Sequence, residues 1–89
     1  MISKVFEVKN KLGIHARPAG LLVKTAARYK SSVYISKNGN EVNGKSIMGV
    51  LMLEAGFGSK IEVRIDGEDE HAAMQEIGKL IEERKFDEE

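Results

Sequence analysis

Two rhythms of apolar and polar residues alternate along this chain. ISKVFEV (2–8) mixes β-branched and aromatic residues, with Phe6 and Val8 on one face and Glu7 on the other, and predicts a strand. The loop KNKLG follows. From Ala16 to about Tyr29 the period lengthens. Ala19, Leu22, Val23 and Ala26 recur at i, i+3, i+4 and i+7 and make one apolar helical stripe, with Lys24 and Arg28 off it. SSVYISK (31–37) alternates again, with Val33 and Ile35 on one face. Asn38 and Gly39 then form a strong hairpin signal, because both residue types accept positive φ cheaply. NEVN (40–43) reads as the return strand.

A short helical segment, IMGVLMLEAG, follows, with Ser46 as its N-cap and Gly56 as its stop. SKIEVRIDG (59–67) is the clearest strand: Ile61, Val63 and Ile65 point in, while Lys60, Glu62 and Arg64 point out. Asp69 caps a last helix whose stripe is Ala73, Ile77, Leu80 and Ile81. The predicted order is β-α-β-β-α-β-α. Four strands with one apolar face each need a cover, which the helices supply, so the expected fold is a two-layer α+β sandwich. Periodicity does not fix the strand order. Residues 1–89 are expected to form one domain, with the acidic end FDEE (86–89) as a solvated tail.

Composition narrows the chemistry. Fourteen basic residues balance fourteen acidic ones, so no basic surplus points to nucleic acid. The lack of paired exposed aromatics on the sheet argues the same way. The chain has no Cys, which removes disulfides, thiolate metal sites and Cys nucleophiles. No signal-peptide pattern and no membrane-spanning run is present, so a soluble cytoplasmic protein is expected. There is no Walker-type loop and no GxGxxG, so neither a nucleotide nor another cofactor is expected. The second His, His71, is far from the first, and no metal site is expected.

The segment GIHARPAG (13–20) carries the candidate chemistry. It places His15, Arg17 and the only Pro, Pro18, where the first helix should begin. Pro is tolerated in a first turn because the amides there have no intrahelical partner. Those unpaired amides and the helix dipole favour an anion, phosphate above all. The same field disfavours an imidazolium, and a neutral imidazole has a lone pair that can act as a nucleophile. Arg17 can pair with the oxygens of an arriving anion. The competing reading, a plain polar cap at His15 with a surface charge at Arg17, has about even weight from spacing alone.

The segment GKSIMGVLML (44–53) holds a second feature. With Ser46 as cap, Val50 and Leu53 share one stripe, and Ile47, Met48, Leu51 and Met52 share a second. A short helix that is apolar nearly all round is either buried or presents a face to a partner. Full burial is difficult in a domain this small, and Met suits adaptable docking surfaces, so an exposed patch is expected. Ser46 can be a simple cap. Phosphorylated, it would place negative charge beside the apolar patch.

GIHARPAG followed by NGKSIMGVLML resembles the HPr family, the histidine-containing phosphocarriers of the bacterial phosphoenolpyruvate:sugar phosphotransferase system. The resemblance covers essentially the whole chain. It implies an antiparallel four-stranded sheet in the order 1-4-2-3, an open-faced sandwich covered on one side by three helices. It implies a carrier with no turnover of its own: enzyme I, charged by phosphoenolpyruvate, phosphorylates His15 at Nδ1, and His15 passes the group to IIA domains of sugar permeases. Arg17 matches the phosphate-stabilising arginine and Pro18 the helix-start proline. Ile47, Met48, Leu51 and Met52 match an apolar docking patch, with Gly20 and Lys24 on the neighbouring helix. Ser46 matches the site of an ATP-dependent kinase/phosphorylase, which would add a transcriptional regulator to the partners. A monomer is expected. Leu12 stands where many sugar-type members carry a small polar residue and is similar to the nitrogen-related branch. Glu54 stands where Gly is frequent.

Overall fold

The structure, a computed structural model, describes residues 1–87. Strands β1 (Ile2–Glu7), β2 (Ser32–Lys37), β3 (Asn40–Asn43) and β4 (Lys60–Asp66) alternate with helices α1 (Ala16–Ala27), α2 (Ile47–Met52) and α3 (Glu70–Gly78) in the predicted order. The sheet is antiparallel throughout, in the order β1-β4-β2-β3. Asn38 (φ 52°) and Gly39 (φ 84°) close the β2–β3 hairpin with two left-handed residues, so Lys37 pairs with Asn40.

One face of the sheet is apolar. Phe6, Val33, Ile35, Ile61, Val63 and Ile65 are buried beneath Ala19, Leu22 and Ala26 of α1, Val50 and Leu53 of the α2 segment, and Ala73 and Ile77 of α3. Val23, expected in the buried stripe, lies at its margin and is only partly covered. The other face of the sheet is mainly polar, with Val5 of β1 exposed on it. There Arg64 pairs with Glu41 at 2.9 Å and lies over the Tyr34 ring. Gly78 lets α3 sit close on β1, since a Cβ there would meet the Phe6 ring at 2.9 Å.

Helix α1 ends at Ala27 rather than near Tyr29, and the amides of Arg28 and Tyr29 close its last turn on Thr25 and Ala26. Helix α2 stops at Met52, not at Gly56. Glu54 takes the left-handed exit conformation (φ 52°), and the Lys37 ammonium holds the exit through the carbonyls of Leu53 (3.3 Å) and Glu54 (2.9 Å). Asp69 occupies the N-cap position of α3 but makes no capping bond. Its carboxylate accepts from the Lys30 amide (2.9 Å), the Ser31 amide (3.0 Å) and the Ser31 hydroxyl, which ties the start of α3 to the start of β2.

The last helix does not run on as one α-helix. It widens into a π turn at Lys79–Glu83, closed by the Arg84 amide on the Lys79 carbonyl at 2.8 Å. Leu80 and Ile81 are both fully buried there, and Glu82 accepts from the amide of Glu7 on the edge strand at 2.9 Å. The solvated tail expected over 86–89 does not hold at its first residue. Phe86 is fully buried, within a short turn at Lys85–Asp87, while Asp87 is exposed. An aromatic ring has more to gain from the core than its acidic neighbours lose by following it to the surface beside it. Residues 88–89 lie outside the described residues.

Candidate functional site

His15 is the N-cap of α1, with extended backbone (φ −95°, ψ −164°). Its carbonyl accepts from Ala19 at 2.9 Å and starts the helix. Its side chain makes no capping bond and is exposed. That outcome weighs against the plain-cap reading, in which the ring would be spent on the helix. The approach to His15 is fixed by Gly13. Its φ of 70° is left-handed, and a Cβ there would meet the Ala55 carbonyl and the Gly56 Cα at 2.7 Å. The close approach allows the Ile14 amide to bond the Ala55 carbonyl at 2.8 Å, so the loop after α2 braces the loop before α1. Ile14, buried at 5% exposure, anchors the chain one residue before the histidine.

The first turn offers two free donors. The amides of Ala16 and Arg17 have no partner among the described residues, and Pro18, the third helical residue, has no N–H. Pro18 is buried and so also seats the turn on the core. Arg17 is exposed, but its guanidinium is not idle. Nη1 donates to the Phe86 carbonyl (3.1 Å) and Nη2 to the Asp87 carbonyl (2.8 Å). Sequence spacing placed Arg17 beside an anion. It gave no sign of this contact across 69 residues of chain.

The second segment folds as its pattern implies. Ser46 caps α2, and its hydroxyl accepts from the Gly49 amide at 3.1 Å. Val50 and Leu53 are buried. Ile47, Met48 and Met52 are exposed, and Leu51 is partly buried against the core. Helices α1 and α2 pack against each other, with Gly20 half-buried on α1 and Lys24 exposed in its last turn. Two further apolar residues, Leu12 (76% exposed) and Phe57 (67%), lie exposed in the loops before α1 and after α2. Phe57 follows Gly56, the residue packed on Gly13. The signal for Phe57 was present in GFG (56–58), an aromatic in a turn with no helix or strand face on which to bury it.

Fold and site together define a class: a small open-faced α+β protein with an exposed histidine at the N-cap of a helix whose first two amides have no partner among the described residues. Comparison with known proteins gives the family. The chain belongs to the PTS HPr family, whose description, "PTS HPr component phosphorylation site", matches residues 2–83. It is 51% identical over 84 residues to the phosphocarrier protein HPr of Xylella fastidiosa (strain Temecula1), covering 94% of each chain. Among solved structures it is similar to HPr-C-His from Thermoanaerobacter tengcongensis, with a TM-score of 0.95 and 42% identity over 100% of this chain and 99% of that one. An HPr dimer from the same organism matches with a TM-score of 0.76 and 39% identity over 96% and 98%. No helix among the described residues is long and apolar enough to cross a membrane.

Proposed function

We propose that this protein is a phosphocarrier that accepts a phosphoryl group on His15 Nδ1 from phosphoenolpyruvate-charged enzyme I and delivers it to IIA domains. The observation that carries this reading is the uncommitted His15 ring at an N-cap with two spare amides beside it. In each transfer an N–P bond to the acceptor ring forms as the N–P bond to the donor ring breaks. Each imidazole keeps the proton on its other nitrogen, so no base is required. The donor, phosphorus and acceptor must lie in line, and positioning with charge stabilisation supplies the rate. The amides of Ala16 and Arg17 would meet the phosphoryl oxygens, and the Arg17 guanidinium would neutralise them. The protein has no turnover of its own in this scheme. It would act as a cytoplasmic monomer that meets its partners through Gly20, Lys24, Ile47, Met48, Leu51 and Met52. The test is incubation with enzyme I and labelled phosphoenolpyruvate. The expected product is an acid-labile phosphoprotein that is absent in His15→Ala; a wild-type protein that takes no label from competent enzyme I sinks the reading.

A regulatory role for Ser46 has its own support. The hydroxyl sits at the start of α2, half-exposed and next to Ile47 and Met48. A phosphate there would keep the capping position and set negative charge against the apolar patch, disfavouring one partner and favouring another, such as a transcriptional regulator. Incubation with ATP and an HPr kinase/phosphorylase is expected to give acid-stable phosphoserine that is lost in Ser46→Ala. Its absence from the wild-type protein removes the regulatory role and leaves the carrier role standing.

A further inference from the structure

The carbonyls that hold Arg17 come from an unusual piece of backbone. Lys85, Phe86 and Asp87 all lie in the left-handed region, at φ 48°, 56° and 56°. Three such residues in a row are costly for L side chains, and none of these is Gly. A conformation of this kind persists only where the surroundings impose it. Two features do so here. The Phe86 ring is fully buried, one of the largest side chains in the core to be so. The Arg84 guanidinium also grips the Asp87 carboxylate at 2.9 and 2.6 Å. That ion pair is exposed, whereas the ring is fully buried, so the ring is the stronger anchor. The Asp87 amide returns to the Arg84 carbonyl at 2.8 Å and closes the turn.

The turn presents two successive carbonyls to one guanidinium. Arg17 answers with one N–H from each terminal nitrogen, which fixes the plane of the group as well as its position. A guanidinium has five N–H donors, so three remain open while the side chain is held. Without the turn, an exposed arginine in the first turn of a helix would sample many rotamers and give up that freedom each time phosphate arrived.

We propose that Phe86 is a positioning residue for phosphoryl transfer: its buried ring fixes the 84–87 turn, whose carbonyls pre-orient Arg17 for the phosphoryl group on His15. The proposal rests on the phosphocarrier reading and adds a residue to it. It implies that the end of the chain takes part in the site through backbone oxygens, with the side chain of Phe86 acting only through them.

The test is a double-mutant cycle on the full chain, read as the rate of phosphoryl uptake from charged enzyme I. Phe86→Ala is expected to slow uptake by about threefold to tenfold, the scale of an ordinary pairwise coupling. The effect should fall on kcat more than on KM for the carrier. Phe86→Leu, which keeps a buried apolar anchor, is expected to restore most of the rate. In an Arg17→Lys background, where no planar fork exists, Phe86→Ala should have no further effect. Equal slowing in both backgrounds, no slowing in the first, or faster uptake overturns the proposal.

A second measurement needs neither a variant nor phosphoryl transfer. Nitrogen NMR of the arginine side chains should show slower guanidinium rotation at Arg17 than at Arg28, whose side chain has no partner among the described residues. Equal rotation overturns the proposal even if Phe86→Ala fails to fold. Failure of the wild type to take up phosphate would instead sink the carrier reading and leave the rotation result to judge the turn.

Discussion

Glu54 shows how much one backbone angle decides. It turns the chain out of α2 at φ 52°, the position where an unbranched backbone without a Cβ is cheapest. Lys37 compensates by binding the last carbonyls, and its contacts are to backbone oxygens only. Glu54→Gly therefore keeps the Lys37 bonds and removes the steric cost. Relief of about 1–2 kcal/mol, less about 0.4–1 kcal/mol for a freer unfolded chain, leaves a net gain of about 0–1.6 kcal/mol. A urea titration should show a higher midpoint with an unchanged slope, and a lower midpoint would mean that Glu54 carries no strain. The expected stop at Gly56 failed for a related reason. A Gly near a helix end is a good signal, but here the left-handed exit falls two residues earlier, at Glu54, and the close approach behind Gly56 depends on the missing Cβ of Gly13. His15 and Ser46 were legible because a cap is a local event, decided within four residues. The Arg17 contact with Phe86 and Asp87 was not, because it depends on where the far end of the chain is packed.

Elements were legible where one face is buried and one is not. All four strands and the starts of the three helices lie where the periodicity puts them, the helix ends do not, and the hairpin turns on the two residues that favour it. The last helix was only partly legible. Its stripe of Ala73, Ile77, Leu80 and Ile81 is buried as expected, but apolar spacing does not reveal that the ladder widens to π at Lys79. Asp69 marks the helix start by position while its side chain serves the α1–β2 connection. Those hydrogen bonds, first from the Ser31 hydroxyl and then from the Lys30 amide, draw its pKa down to about 2. A carboxylate with a depressed folded pKa stabilises the fold above its ordinary value, and the contribution fades as pH falls toward the folded value. Asp69→Ala should thus lower the thermal midpoint at pH 7, and the gap from wild type should close between about pH 4 and pH 2. A gap that persists at pH 2 would show that the side chain acts by packing and not by charge.

At the scale of the molecule, sidedness was predictable and strand order was not. Alternation shows that each strand has one face to bury, which requires a layered fold. The order β1-β4-β2-β3 came only from family resemblance, because β4 enters the sheet between β1 and β2 through contacts distant in sequence. Composition alone does not reveal how the end of the described chain packs. Three acidic residues follow Phe86 and Asp87 is exposed, yet the buried Phe86 ring holds residues 84–87 against the fold beside Arg17. The exposed ring of His15, set at the tip of one helix, has a kinetic consequence in the proposed relay. Loading and unloading use one nitrogen, approached along one line, so donor and recipient compete for the same berth. The carrier must leave one before it meets the other. Throughput then scales with how often free carrier collides with each of them, and a surplus of empty recipients would act as a brake on loading.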